Sequence, residues 1–416
     1  MGNFVGYHCS ICGKTLPADY KGYVCDDCGG NLDVVLDYDS IKKNVTPEMI
    51  FSSQEKSLWR YQPLLPVADP GFEGTALHSA GMTPVYSSDT LAKEVGVRSF
   101  RVKDEGRNPT ASFKDRASAI LIARAKEIGA EVIATASTGN AGAALAGMAA
   151  ASNWKAVIFA PKTAPQAKIA QLLVFGAQVI LVDGNYDSAF DLSVEACAHF
   201  GWYCRNTGYN AFTAEGKKTA AFEIWEQVIS RRESDKPLNI FVSVGDGNII
   251  SGIHKGFKDL KELGWLPVMP RIFGIQSENS AAIYNAWKNN TEEIVPVNAT
   301  TIADSISVDL PRDGVRAVRA AKETGGAYIT IPDESIYEGI MTLGKIGVFA
   351  EPAGATAFAG MKKALSKGLI TAEDDVLVIN TGSGLKDVRA AMNAAGQAPV
   401  IKPDMNALTE FLKETK

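Results

Sequence analysis

"ATASTGNAGAALAG", residues 134–147, is the stretch on which the reading of the fold turns. An apolar run stops at Ser137, the polar and glycine residues Ser137-Thr138-Gly139-Asn140 follow, and an alanine-rich stretch of helical composition begins. Strand, turn and helix in so short a space form the repeating unit of a parallel sheet. The turn itself has two readings. One polar side chain there suffices to cap a helix. Several together, with free backbone N–H groups at a helix start, make a cradle for a ligand carboxylate.

The same alternation recurs on both sides. "SFRVK" (99–103), "KAVIFA" (155–160) and "QVILVD" (178–183) each lead into a helical pattern. A second series follows with "NIFVSVG" (239–245), "RIFGIQS" (271–277), "AYITIP" (327–332) and "DVLVINTGSG" (375–384). Apolar runs without polar alternation are strands buried on both faces. The expected class is α/β, with two doubly wound parallel-sheet units. Ligands of such sheets bind beyond the carboxyl ends of the strands, so the informative residues should lie just after these runs.

Composition narrows the function classes. The chain has 416 residues, 46% hydrophobic and 21% charged, with a net charge of −5. This argues against nucleic-acid or membrane-surface binding as a main activity. No apolar run approaches the roughly 20 residues that span a bilayer. The opening "MGNFVGYHCSICGK" has no basic segment followed by an apolar one, so a cytoplasmic protein is expected.

Cys9-x-x-Cys12 and Cys25-x-x-Cys28 are two knuckles that a hairpin can bring together as a tetrahedral sulfur site. Gly13, Gly29 and Gly30 supply the tight backbone such knuckles need. A structural zinc site is the expected use, with paired redox thiols or a metal-free remnant as the alternatives. A ribbon of this size cannot hold its shape by burial alone.

Other turns carry chemistry. In "VSVGDGNIISGI" (242–253), Gly245-Asp246-Gly247-Asn248 follows a strand and opens a helix, a geometry that holds a phosphate or makes a simple tight turn. The third glycine of a dinucleotide fingerprint is absent, because position 250 is Ile. In "PTASFKDRASA" (109–119), Lys114 is either a solvated helix residue or a nucleophilic amine.

"NPTASFKDR", "STGNAGA", "VGDGN", "EPAGA" and "NTGSG", in this order, resemble the fold-type-II pyridoxal-phosphate enzymes. "LWRYQPLLPV" (58–67), "GMTPV" (81–85) and the cysteine ribbon resemble, within them, the threonine synthase family. The resemblance implies a ribbon over 1–45, a larger cofactor-binding domain over 46–96 and 211–400, a smaller α/β domain over 97–210, and a terminal helix over 401–416. It implies that Lys114 forms the Schiff base with pyridoxal 5'-phosphate, with Phe113 packed near the ring. Asn140 would meet the ring hydroxyl and Thr381 the ring nitrogen. Gly245, Asp246, Gly247, Asn248 and Ile249 would hold the cofactor phosphate. Ser137, Thr138, Gly139 and Ala141 would grip the carboxylate of a small amino-acid substrate, and a homodimer is expected.

One departure bears on the substrate. In "NTGYNAFTAEGKKTAAFE" (206–223), Asn206, Thr207, Glu215, Gly216, Lys218 and Thr219 fit the family pattern, but Phe212 and Thr213 stand where it has an arginine for the substrate phosphate. Arg312, in "SVDLPRDGV" (307–315), is the expected replacement, with Asn206 and Thr207 as further substrate contacts. The implied reaction is threonine synthesis from O-phosphohomoserine and water. The alternatives are cysteate synthesis from O-phosphoserine and sulfite, or a threonine or serine dehydratase.

Overall fold

The computed structural model describes residues 3–414. Three sheets organise them. β1 (Phe4–Cys9), β2 (Thr15–Pro17) and β3 (Leu32–Leu36) form an antiparallel ribbon in the order β2-β1-β3. β4 (Val85–Ser87), β5 (Ser99–Asp104), β10 (Asn239–Ser243), β11 (Arg271–Ser277), β12 (Tyr328–Ile331) and β13 (Asp375–Asn380) form a six-stranded sheet ordered β12-β11-β10-β13-β5-β4. It is parallel except for β4, which runs antiparallel at the edge. β6 (Val132–Ala136), β7 (Lys155–Pro161), β8 (Gln178–Val182) and β9 (Tyr203–Cys204) form a parallel four-stranded sheet ordered β8-β7-β6-β9.

The larger sheet is covered on both faces, as its unbroken apolar runs require. Ile240 and Val242 of β10 enter one core, while Phe241 between them enters the other. Each apolar run in the sequence forms a strand here. The grouping differs at one point. β5, assigned by sequence to the segment 97–210, pairs with β13 in the larger sheet, from Ser99 opposite Asp375 to Asp104 opposite Asn380. The partner strand lies far along the chain, and nothing in the local pattern of β5 announces it. The last helix is Met405–Glu414, shorter than the expected 401–416, whose final two residues lie outside the described range. Among the described residues no helix is long and apolar enough to cross a membrane.

Three helices join the sheets. Phe212–Gln227 packs on both Lys114–Ile128 and Asn248–Glu262. Gly216 makes the first contact possible, since a Cβ there would lie 2.2 Å from the Arg116 carbonyl oxygen. Between these helices and β5 is a sealed ionic cluster. Arg116 donates to Glu105 at 2.7 Å through both Nε and Nη2, and to Glu223 Oε2 at 2.8 Å. Lys103 Nζ donates to Glu223 Oε2 at 2.6 Å and to the Thr83 carbonyl oxygen at 2.7 Å. All four charged side chains are fully buried, and their charges balance.

The ribbon docks through specific bonds. Arg316 Nη1 donates to Asp33 Oδ1 at 2.7 Å and to the Leu32 carbonyl oxygen at 3.2 Å. Tyr23 Oη accepts from the Cys204 N–H at 2.9 Å, and Asn31 Nδ2 donates to the Gly208 carbonyl oxygen at 2.5 Å.

Removing one member of a buried, balanced cluster strands its partner's charge, at a cost of about 3–5 kcal/mol. Glu223→Gln should therefore lower the urea unfolding midpoint strongly, whereas Glu338→Gln, at an exposed helix position, should leave it within error. Equal midpoints would refute the anchoring role of the cluster.

Candidate active site

The carboxyl ends of β6, β9, β10 and β13 open into one cleft of about 490 Å³. Lys114 stands at the start of its helix and lines this cleft together with Phe113. Burial pulls its amine down to about 8, and the neighbouring Arg205 guanidinium adds to the effect; Asp246 and Glu351 oppose it. An amine so placed is part neutral near neutral pH, and its burial contradicts the reading of a solvated helix lysine.

Opposite it is the glycine turn. Gly247 has φ +91 and its Cβ would meet the Asp313 carbonyl oxygen at 2.6 Å, so only glycine fits. The helix Asn248–Glu262 that it opens has no side-chain cap, which leaves first-turn N–H groups free for an anion. Gly245, Asp246, Gly247, Asn248 and Ile249 all line the cleft. Ser243, also in the lining, has a buried hydroxyl with no partner. Burial raises the Asp246 carboxyl to about 6, against the Arg312 N–H that donates to it at 2.6 Å.

Asn140 and Thr381 meet through Glu351. Asn140 Nδ2 donates to its two carboxyl oxygens at 3.1 and 2.9 Å, and Thr381 Oγ1 donates to Oε1 at 3.3 Å. Burial raises the Glu351 carboxyl, and the Asn140 bond resists this. Gly139 caps the helix Asn140–Ala151 without any side-chain bond. The plain capping role is thus not taken up, and its amides remain available. Thr138 and Gly139 line an adjoining hollow that shares Asn140, Ser305 and Glu351 with the cleft; Ser137 and Ala141 flank the turn outside both linings.

The orphaned Ser243 hydroxyl, the uncapped glycine turn and the low amine suit a flat carbonyl cofactor carrying a phosphate. The residues present fit pyridoxal phosphate.

Two expected substrate contacts are not brought to the cleft. Arg312 Nη2 pairs with Asp187 Oδ1 at 3.0 Å, and its guanidinium lies 4.8 Å from the centre of the Phe190 ring. Only its backbone reaches the site. Asn206 accepts from the Ala136 N–H at 2.8 Å and from Thr135 Oγ1 at 3.0 Å, and donates to Ser193 at 2.8 Å, so its amide is spent on holding strand ends together. Thr207 does line the cleft. Sequence reading passed over Glu351, although "EPAGA" contains it, and also Ser243 and Ser305. A carboxylate opening a proline-started helix was the available signal for the first. Apart from this site, the sulfur atoms of Cys9, Cys12, Cys25 and Cys28 lie within 4.8 Å of one another, an arrangement compatible with a metal.

Acetylation of the cofactor-free protein, followed by peptide mass mapping, should show Lys114 labelling at half its limiting rate near pH 8, with the neutral amine as the reacting form. Half-labelling near the ordinary lysine value of about 10.4 would contradict the electrostatics of the cleft.

Comparison with known proteins agrees with this geometry. A family model described as pyridoxal-phosphate dependent enzyme matches residues 77–382. The chain is 39% identical to a threonine synthase of Methanocaldococcus jannaschii over 98% of its own length and 99% of the relative's. It is 35% identical to a threonine synthase of Methanosarcina acetivorans, over 98% of both chains. Among solved structures, diaminopropionate ammonia lyase from Escherichia coli superposes with a TM-score of 0.65 at 21% identity, over 80% of this chain and 97% of that one. Threonine deaminase isoform 2 from Solanum lycopersicum gives 0.64 at 22% identity, over 76% of this chain and 88% of that one. The chain belongs to the pyridoxal-phosphate dependent enzymes and, within them, to the threonine synthase family.

Proposed function

We propose that the protein converts O-phosphohomoserine and water to threonine and phosphate. The observation that carries this reading is the low amine of Lys114, set between the glycine turn and the uncapped Ser137–Asn140 turn. Bound pyridoxal phosphate supplies the electron sink that makes carbon–hydrogen bonds next to the substrate amine acidic. The residues of the chain do the rest. Lys114 would anchor the cofactor, and with substrate bound its free Nζ would move the protons: off the α-carbon and finally back to it, and from the β-carbon to the γ-carbon. Phosphate would leave from the γ-carbon with the C–O bonding electrons, and the γ-carbon would gain a proton in its place. Water would add its hydroxyl at the β-carbon and give its other proton to the departing phosphate, and the α-carbon would be reprotonated. Amides from Gly245 to Ile249 hold the cofactor phosphate. Asn140 holds the ring hydroxyl. Thr381 would meet the ring nitrogen as a neutral partner, leave it unprotonated and so moderate the sink. Ser137, Thr138, Gly139 and Ala141 orient the substrate carboxylate.

Phosphate release should be measured on O-phosphohomoserine, O-phosphoserine with and without sulfite, serine and threonine, with products identified by mass. Release from the first alone, with threonine as product, is expected. Turnover only of O-phosphoserine with sulfite would make the protein a cysteate synthase.

The cysteine cluster is proposed to hold one structural zinc ion. Metal analysis should find about one zinc per chain. Chelation should expose the four thiols to titration while the visible absorbance of the cofactor persists. Four freely titratable thiols in a metal-free, fully active protein would exclude this.

A further inference from the structure

The buried basic side chains divide into two groups. Lys103, Arg116, Lys218, Lys255 and Arg316 each have a carboxylate close by, at 2.6, 2.7, 2.8, 3.2 and 2.6 Å respectively. Arg205 and Lys217 are fully buried, yet among the described residues neither has a carboxylate within ion-pair reach. Their partners are neutral. Arg205 Nη1 donates to Thr207 Oγ1 at 2.7 Å, while Nε and Nη2 reach Ser118 Oγ only at 3.4 and 3.5 Å. Lys217 Nζ donates to Asn248 Oδ1. Both Thr207 and Asn248 line the cleft.

We propose that Arg205 and Lys217 supply the positive charge of the subsite for the substrate's leaving phosphate, from directly behind Thr207 and Asn248, which line the cleft. The proposal rests on the reading that the substrate is a phosphorylated amino acid. Two phosphates must then be held in one cleft. The uncapped glycine turn serves one with backbone amides, and the two uncompensated cations remain for the other.

Position supports the assignment. Phe212 and Thr213 stand where the family pattern has arginine, and Thr213 Oγ1 lies 2.7 Å from the Asn210 carbonyl oxygen and 3.1 Å from Asn248 Oδ1. Lys217 lies one helical turn further on the same face and donates to the same oxygen. The charge absent at position 213 is thus restored from 217. Arg205 adds a second positive charge, held behind Thr207 by the bond to its Oγ1. The nearest acids do not cancel this charge. Asp313 is bound by Arg316 at 2.6 Å and by Asn248 Nδ2 at 2.7 Å, and Asp246 accepts the Arg312 N–H. Burial lowers the Lys217 amine, and the charges of Lys114 and Arg205 add to this, against Asp246 and Asp313. An arriving dianion relieves this mutual repulsion, and phosphate departure restores it.

The test uses the holoenzyme and its Arg205→Met, Lys217→Met and Lys217→Arg variants. Inorganic phosphate is titrated calorimetrically, and L-threonine, which has no phosphate, is titrated through the cofactor's absorbance. The Met variants should bind phosphate about ten- to hundredfold more weakly and show a matching rise in KM for the phosphorylated substrate. Their threonine affinity and cofactor content should stay within about twofold of wild type, a span small against the tenfold steps expected. Lys217→Arg should recover most of the loss. Phosphate should raise the melting temperature of the wild type but not of the Met variants. Unchanged phosphate binding in the Met variants would overturn the proposal. So would loss of cofactor, or equal weakening toward phosphate and threonine. If the wild type released phosphate from no phosphorylated amino acid, the proposed reaction would fall. The calorimetric titration would still decide whether these two cations bind phosphate.

Discussion

The guanidinium of Arg116, closed between Glu105 and Glu223, is the fixed point of this molecule. It sits two residues after Lys114 and joins three pieces of chain: the segment following β5, the helix that begins at Lys114, and the helix Phe212–Gln227. Ion pairs at a surface do little. Here, with no water to replace a missing partner, the geometry is strongly specified. The start of the Lys114 helix is therefore held in one orientation relative to both sheets, and the amine points where four strands end.

Around that amine, most of the binding capacity is backbone. The glycine turn and the Ser137–Asn140 turn each present uncapped helix amides, which attract anions without adding charge of their own. Side chains refine this. Glu351 draws Asn140 and Thr381 together across the cleft, so segments distant in sequence arrive at one place already mutually bonded. Such preorganisation reduces what must be ordered when a ligand enters.

The parts of this structure legible in sequence share one trait, that their signal is local. Strands buried on both faces read as unbroken apolar runs, and turns such as Gly245-Asp246-Gly247 carry their backbone requirement in their composition. What was not legible depends on partners remote in the chain. β5 could not reveal that it pairs with β13. Arg312 was a reasonable cation until Asp187 and Phe190 were seen to occupy it. Asn206 matched a pattern, yet its amide is consumed by β6. Arg205 follows the apolar Trp202-Tyr203-Cys204, a hint of burial, but whether a buried arginine has a partner is a fact of tertiary structure alone.

The ribbon is made before the surfaces on which it docks. Asn31 waits for Gly208, 177 positions later, and Arg316 reaches Leu32 across 284. During synthesis the amino-terminal residues leave the ribosome long before either surface exists. Contacts so distant in sequence form late, after the loops between them have closed. Until then the ribbon has only its own strand pairing and its four neighbouring cysteines to give it shape, and its apolar face, with Phe4 and Tyr7 that pack on Phe212, stands open to solvent. Chain that is well shaped yet undocked is the state in which aggregation competes with folding. The contacts that keep this small sheet in register are thus local ones, the pairing of β1 with β2 and β3, made without the surfaces that have yet to be translated.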